Sequence, residues 1–136
     1  MNVMAIGAHP DDIEFGCGGT LIKHKDNGNK VIYVCMTDTE SVDATEDKVI
    51  RTQSQLKSET QCAADILGVD RIHYLPFKDL HVPFSFDSVS ELEKLIKEYE
   101  IDIIYTHWSG DSNQDHISTF KTTMAAARYV KNIYCY

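Results

Sequence analysis

Short apolar runs alternate with longer amphipathic segments along this chain, and that alternation leaves few folds open. Residues 2–7, 30–36, 71–75, 102–106 and 133–136 read as strands, and residues 18–27, 49–67, 88–99 and 114–131 read as helices. Repeated strand–helix–strand units build a mostly parallel sheet covered on both faces, because parallel neighbours need a long crossover between them. With 136 residues the chain holds one core. The expectation is a single α/β domain over 1–136, Rossmann-like and three-layered.

Local signals support these elements. The helix at 18–27 opens beside Gly16, Gly18 and Gly19 and stops at Asn27-Gly28. The helix at 49–67 places Ile50, Leu56, Ala63, Ala64 and Leu67 toward one face and ends at Gly68. In 88–99, Val89, Leu92, Leu95 and Ile96 recur at helical spacing, with Ser88 as N-cap and Glu91 completing a capping box. Loops 37–47 and 76–87 are longer than a βα turn requires. Both follow strands, which puts them at the sheet edge where ligands bind.

Two polar stretches follow apolar runs. Ala8-His9-Pro10-Asp11-Asp12 follows the first, and the stretch from Thr106-His107-Trp108 to Asp115-His116 follows the fourth. A doubly wound sheet sets its first and fourth strands side by side, so their C-terminal ends flank one crevice. That topology brings His9 and Asp12 close to His116. Two imidazoles and a carboxylate form a catalytic zinc set with positions left for water and substrate, and other divalent ions accept the same donors. Asp11 diverges from Asp12 on an extended segment and is placed to take a proton from water.

Composition narrows the partners. Against 21 acidic residues stand 13 Lys and Arg, a net charge of −8, which argues against nucleic acid and for a small neutral substrate. Cys17, Cys35, Cys62 and Cys135 form no CxxC pair, so reduced thiols in a cytoplasmic setting are expected. No run reaches the ~20 apolar residues of a membrane span, and no membrane partner is expected.

Plainer roles compete for the same residues. His9 and Asp12 also suit a loop that caps the following helix. The glycine cluster matches neither a dinucleotide nor a P-loop spacing and suits close packing. His107 can touch substrate, support the donors or be structural, and Trp108 can stack on a sugar or cover the core edge. Asp115 can orient an imidazole or cap a helix, and Asp111 shares that ambiguity. Asp38, Glu40 and Asp43 can hold substrate hydroxyls or face solvent.

Gly7-Ala8-His9-Pro10-Asp11-Asp12 through Gly18-Gly19-Thr20-Leu21, with Thr106-His107-Trp108 and Asp115-His116, resembles the PIG-L/LmbE-like family of zinc-dependent N-acetylglucosaminyl deacetylases. Glu59, Ala63, Ala64, Leu67, Gly68 and Asp79 extend the resemblance to nearly the whole chain. It implies zinc held by His9, Asp12 and His116, with Asp11 as general base. Asn113 and Asp115 join Asp11 as candidate catalytic residues; His107, Trp108 and Asp38 are candidate substrate contacts. The implied substrate is an N-acetylated sugar or similar small amide.

Asn113 stands where many members carry a histidine, and an amide can donate to an oxyanion without transferring a proton. The resemblance also implies a domain that continues past Tyr136, or a pocket completed by a second subunit in a homo-oligomer. The competing reading is a non-catalytic metal- or nucleotide-binding Rossmann-like domain that acts as an assembly partner.

Overall fold

A computed structural model describes residues 1–46 and 48–136. Strands β1 (Asn2–Gly7) and β2 (Lys30–Thr37) are buried at almost every position, as expected of parallel strands covered on both faces. Side chains alternate between those faces. Met4, Ile6, Ile32, Val34 and Met36 form one core with Leu92, Ile96 and Ala126. Val3, Ala5, Val31 and Tyr33 form the other with Ile13, Cys17 and Leu21. Each fully buried aliphatic side chain contributes roughly 1.5–3 kcal/mol of transfer free energy.

The remaining elements are α1 (Asp12–Asp26), β3 (Ser41–Val42), β4 (Val49–Arg51), α2 (Gln53–Leu67), β5 (Arg71–Phe77), α3 (Phe86–Glu98), β6 (Ile103–Thr106), α4 (Gln114–Ala126) and β7 (Asn132–Cys135). The main sheet runs β5-β2-β1-β6-β7, with every neighbouring pair parallel. The first and fourth strands of this sheet, β1 and β6, are adjacent, so the turns after them share one edge. The α/β class and the mostly parallel sheet are those the sequence implied. Among the described residues, no helix is long and apolar enough to cross a membrane.

Several boundaries differ from the sequence reading. Helix α1 starts at Asp12 rather than at residue 18, because its glycines serve packing inside the helix and do not form its mouth. A Cβ on Gly16 would lie 2.1 Å from Cδ2 of Tyr136, so the close approach of that ring requires glycine. Residues 49–51 are strand, and helix α2 begins after Thr52, whose hydroxyl and Gln55 form a reciprocal capping box. Ile50, expected on the buried helical face, is instead exposed. Helix α3 starts earlier, capped by Ser85 with Ser88 as its partner instead of Ser88 with Glu91.

Strand β5 continues through Pro76, which an edge strand tolerates because one side of its backbone needs no partner. Helix α4 stops at Ala126, five residues short of the expected end, where Val130 donates to the Ala127 carbonyl in a turn. Strand β7 spans 132–135 instead of 133–136. The loop expected at 37–47 contains β3, which pairs antiparallel with β4; its last residue, Asp47, lies outside the described residues.

Candidate metal centre and cavity

The chain turns sharply where β1 ends. A Cβ on Gly7 would lie 3.0 Å from both Asp12 Cβ and Ile13 Cγ1, so only glycine fits there without displacement. Asp11 takes a left-handed backbone (φ 98°), a conformation tolerated by Asp better than by most residues. It sits at the N-cap of α1, yet its side chain makes no capping hydrogen bond. Asp11 lines a cavity of about 250 Å³. Asp12 Oδ2 accepts the His9 backbone N–H at 2.7 Å, which fixes the two side chains relative to each other.

His116 enters from the first turn of α4. Donor atoms of His9, Asp12 and His116 all lie within 4.8 Å of one another. His9 Nδ1 is 3.4 Å from Asp12 Oδ2, and His116 Nε2 is 3.3 Å from Asp12 Oδ1. His9 faces one carboxylate oxygen of Asp12 and His116 the other, and the mutual approach of the three residues within 4.8 Å leaves them able to share one divalent cation. The opposite ring nitrogens face carboxylates: His9 Nε2 is 3.0 Å from Asp115 Oδ2, and His116 Nδ1 is 2.9 Å from Asp111 Oδ2. Such partners fix the tautomer of a ligating imidazole and orient its free lone pair.

A second observation supports the fit. His107 Nε2 lies 3.0 Å from the Ala8 N–H and 3.2 Å from Asp12 Oδ2. Acting as donor to Asp12, it leaves a buried N–H without an acceptor; acting as acceptor, it turns a lone pair toward the carboxylate. A cation on Asp12 would favour the acceptor role toward Ala8, whereas without one the His107 ring can donate to Asp12.

Electrostatics follow from the same contacts. Burial disfavours a charged His9, but hydrogen bonds to Asp115, Asp12 and Asp79 outweigh it and push its pKa up to about 11. Burial likewise opposes charge on Asp12, yet the imidazoles of His107, His116 and His9 hold it well below the usual carboxylate range. Asp11 is raised, first by burial and then by the charge of Asp12, which makes it the more basic of the adjacent pair.

The other expected site residues separate into two groups. Asn113 lines the cavity and caps α4, its Oδ1 accepting the N–H groups of Asp115 (2.8 Å) and His116 (3.4 Å). Asp115 is buried against His9, and its Oδ1 accepts the Val82 N–H at 3.1 Å. It faces His9 and does not line the cavity.

Three expected substrate contacts, His107, Trp108 and Asp38, lie outside this cavity. His107 is 2% exposed, behind His116. Trp108 is exposed and folds over Gly110. Asp38 is held by Lys57 at 2.6 Å and by Gln53 at 3.0 Å.

Sequence reasoning gave no role to Asp79 or Arg51. Asp79 Oδ1 is 3.2 Å from His9 Nε2, and its Oδ2 accepts the Val42 N–H at 3.0 Å, which joins β3 to the donor cluster. Arg51 arrives from β4 at the cavity wall. The only signal for Asp79 was its place after the third strand of the main sheet, and β4 was hidden inside an expected helix.

The family model for PIG-L, GlcNAc-PI de-N-acetylase, matches residues 4–127. The uncharacterized deacetylase YaiS of Escherichia coli (strain K12) is 34% identical over 140 residues, 98% of this chain and 72% of that protein. A diacetylchitobiose deacetylase of Thermococcus kodakarensis is 36% identical over 98 residues, 71% of this chain and 36% of that protein.

Among solved structures, the N,N'-diacetylchitobiose deacetylase of Pyrococcus horikoshii superposes with a TM-score of 0.80 at 28% identity, covering 94% of this chain and 49% of that one. A conserved protein of Thermus thermophilus gives 0.83 at 22% identity, covering 96% and 63%, and shows the shared fold. This chain therefore spans about half to two thirds of the length of those solved chains. On the extent of the family match and the near full-length likeness to YaiS, the chain belongs to the PIG-L family, whose model is described as GlcNAc-PI de-N-acetylase.

Proposed function

We propose that this protein is a metal-dependent amidohydrolase that removes the acetyl group from an N-acetylated amino sugar or its conjugate. The observation that carries the reading is a donor triad whose ligand atoms lie within 4.8 Å of one another, next to an aspartate whose side chain makes no capping hydrogen bond and which lines the cavity. The family and its deacetylase relatives support the same reaction class. Thr37, Thr39 and Ser41, with the carboxylates of Glu40 and Asp79, give the cavity a lining suited to sugar hydroxyls.

His9, Asp12 and His116 would hold zinc or a similar divalent ion. Such an ion, when bound, activates water and polarises the acetyl carbonyl. Asp11 accepts the proton of the attacking water and returns it to the amine as the carbon–nitrogen bond breaks. The Asn113 side-chain amide donates to the carbonyl oxygen as it gains charge. Asp115 and Asp111 hold the outward nitrogens of His9 and His116, so the lone pairs of the other two nitrogens stay aimed at the ion.

The test is acetate release from N-acetylglucosamine and N,N'-diacetylchitobiose by the zinc-loaded protein, with Asp11→Asn alongside. Turnover that falls at least 100-fold in the variant supports the assignment. Equal rates in the two proteins would remove Asp11 from the chemistry, and stoichiometric metal without turnover on any acetylated sugar would overturn the reaction.

A further inference from the structure

His107 follows the last residue of β6, lies outside the cavity that Asp11 lines, and still touches three parts of the donor set. Its Nε2 is 3.0 Å from the backbone N–H of Ala8, the residue before His9. The same nitrogen is 3.2 Å from Asp12 Oδ2. Its ring lies parallel to that of His116, with centroids 3.9 Å apart and planes 10° apart. Tyr136 packs against the same imidazole at 5.1 Å, its hydroxyl donating to the Ile6 carbonyl at 2.9 Å, in the space left by Gly16. An aromatic column thus runs from β7 to the donors.

His107, Asp111 and His116 also have ligand-type atoms within 4.8 Å of one another, which raises the question of whether His107 is itself a ligand. The stacking argues against it. Imidazole lone pairs lie in the ring plane, and two nearly parallel planes 3.9 Å apart at their centroids do not converge on one ion at bonds of about 2.0–2.1 Å.

We propose that His107, backed by Tyr136, is a positioning residue of the cation site: its ring fixes the plane of His116, and its Nε2 fixes the Ala8 turn that presents His9 and Asp12. The proposal rests on reading His9, Asp12 and His116 as the cation donors. Nitrogen and ring do separate work. Phenylalanine keeps a ring to stack but has no acceptor, whereas glutamine keeps an acceptor but has no ring.

The test is titration of the metal-free protein with Co2+ alone, followed by its visible spectrum, for the unmodified chain, His107→Phe, His107→Gln, Tyr136→Ala and Leu92→Ala. Leu92 is fully buried in the core on the other face of the sheet and controls for general loss of stability. The unmodified chain binds one equivalent. Both His107 variants keep that stoichiometry with affinity lowered about 10–100-fold and shifted ligand-field bands, the range seen when a partner of a metal ligand is removed.

Tyr136→Ala shows a smaller loss of the same kind, and Leu92→Ala keeps both affinity and spectrum. Affinities within threefold of the unmodified chain in both His107 variants would overturn the proposal, as would an equal loss in Leu92→Ala. Abolished binding in both His107 variants would make His107 a ligand, which also overturns it while leaving the metal site standing. If the unmodified chain binds no Co2+, the donor reading itself fails.

Discussion

Asp115 reaches His9 from 106 residues away in sequence, its Oδ2 3.0 Å from Nε2 of the imidazole. A carboxylate in that place holds the Nε2 proton, so a cation bound beside Asp12 would displace the proton from Nδ1 and take its lone pair. Asp115→Asn retains the size and the Oδ1 acceptor for Val82 but removes the charge. Metal affinity should fall about 10–100-fold. A competition titration with a chromophoric zinc chelator checks this, and unchanged affinity would limit Asp115 to holding the Val82 loop.

Gly7→Ala tests whether the turn after β1 needs a residue without a side chain. The added methyl would approach Asp12 Cβ and Ile13 Cγ1 at 3.0 Å, and neither is the far end of a flexible side chain. Overpacking of this kind costs about 1–3 kcal/mol. Urea unfolding of the metal-free protein should show that loss, and titration of the folded variant should show weaker metal binding because Asp12 has moved.

Much of this arrangement was legible in the sequence, for physical reasons. β1 and β2 are apolar on both faces because helices cover both, and the order of a doubly wound sheet sets β6 beside β1. The proximity of His9, Asp12 and His116 follows from the topology alone. Other features depend on contacts that no local pattern encodes. The glycines of α1 look like a helix opening until Tyr136 and Leu67 are seen against Gly16 and Gly18. Ile50 fits a helical face by spacing, yet it is exposed on β4, the strand that pairs with β3. The loop holding Asp38 was expected at the ligand edge, but the direction of its carboxylate is set by Lys57 and Gln53 on α2.

Asp70 gives a pH dependence remote from the metal donors. Its Oδ2 accepts from Lys25 Nζ and from the Val31 N–H, each at 2.7 Å. Burial opposes its charge, but these two donors outweigh it and lower its pKa. A carboxyl with a depressed folded pKa adds stability above its unfolded value, near 4, and that stability disappears as pH falls through the folded value. Asp70→Asn should therefore lose about 1 kcal/mol at pH 7, and the two proteins should converge as pH falls below the usual carboxylate range. Thermal melts across that range decide it, and a difference independent of pH would place the effect in packing instead of charge.

Asn113 combines two roles that one substitution can separate. Its Oδ1 caps α4 by accepting from Asp115 and His116, and the residue also borders the cavity beside Asp11. Asn113→Asp keeps the capping oxygen and adds negative charge at a helix N-terminus, which stabilises a helix by up to about 1 kcal/mol. The same change removes the side-chain N–H and sets a charge near the oxygen that becomes negative during hydrolysis. Deacetylation should drop about 100–1,000-fold, the loss typical of one missing oxyanion donor, while the melting temperature holds or rises. Retained turnover with a raised melting temperature would leave Asn113 as a helix cap alone.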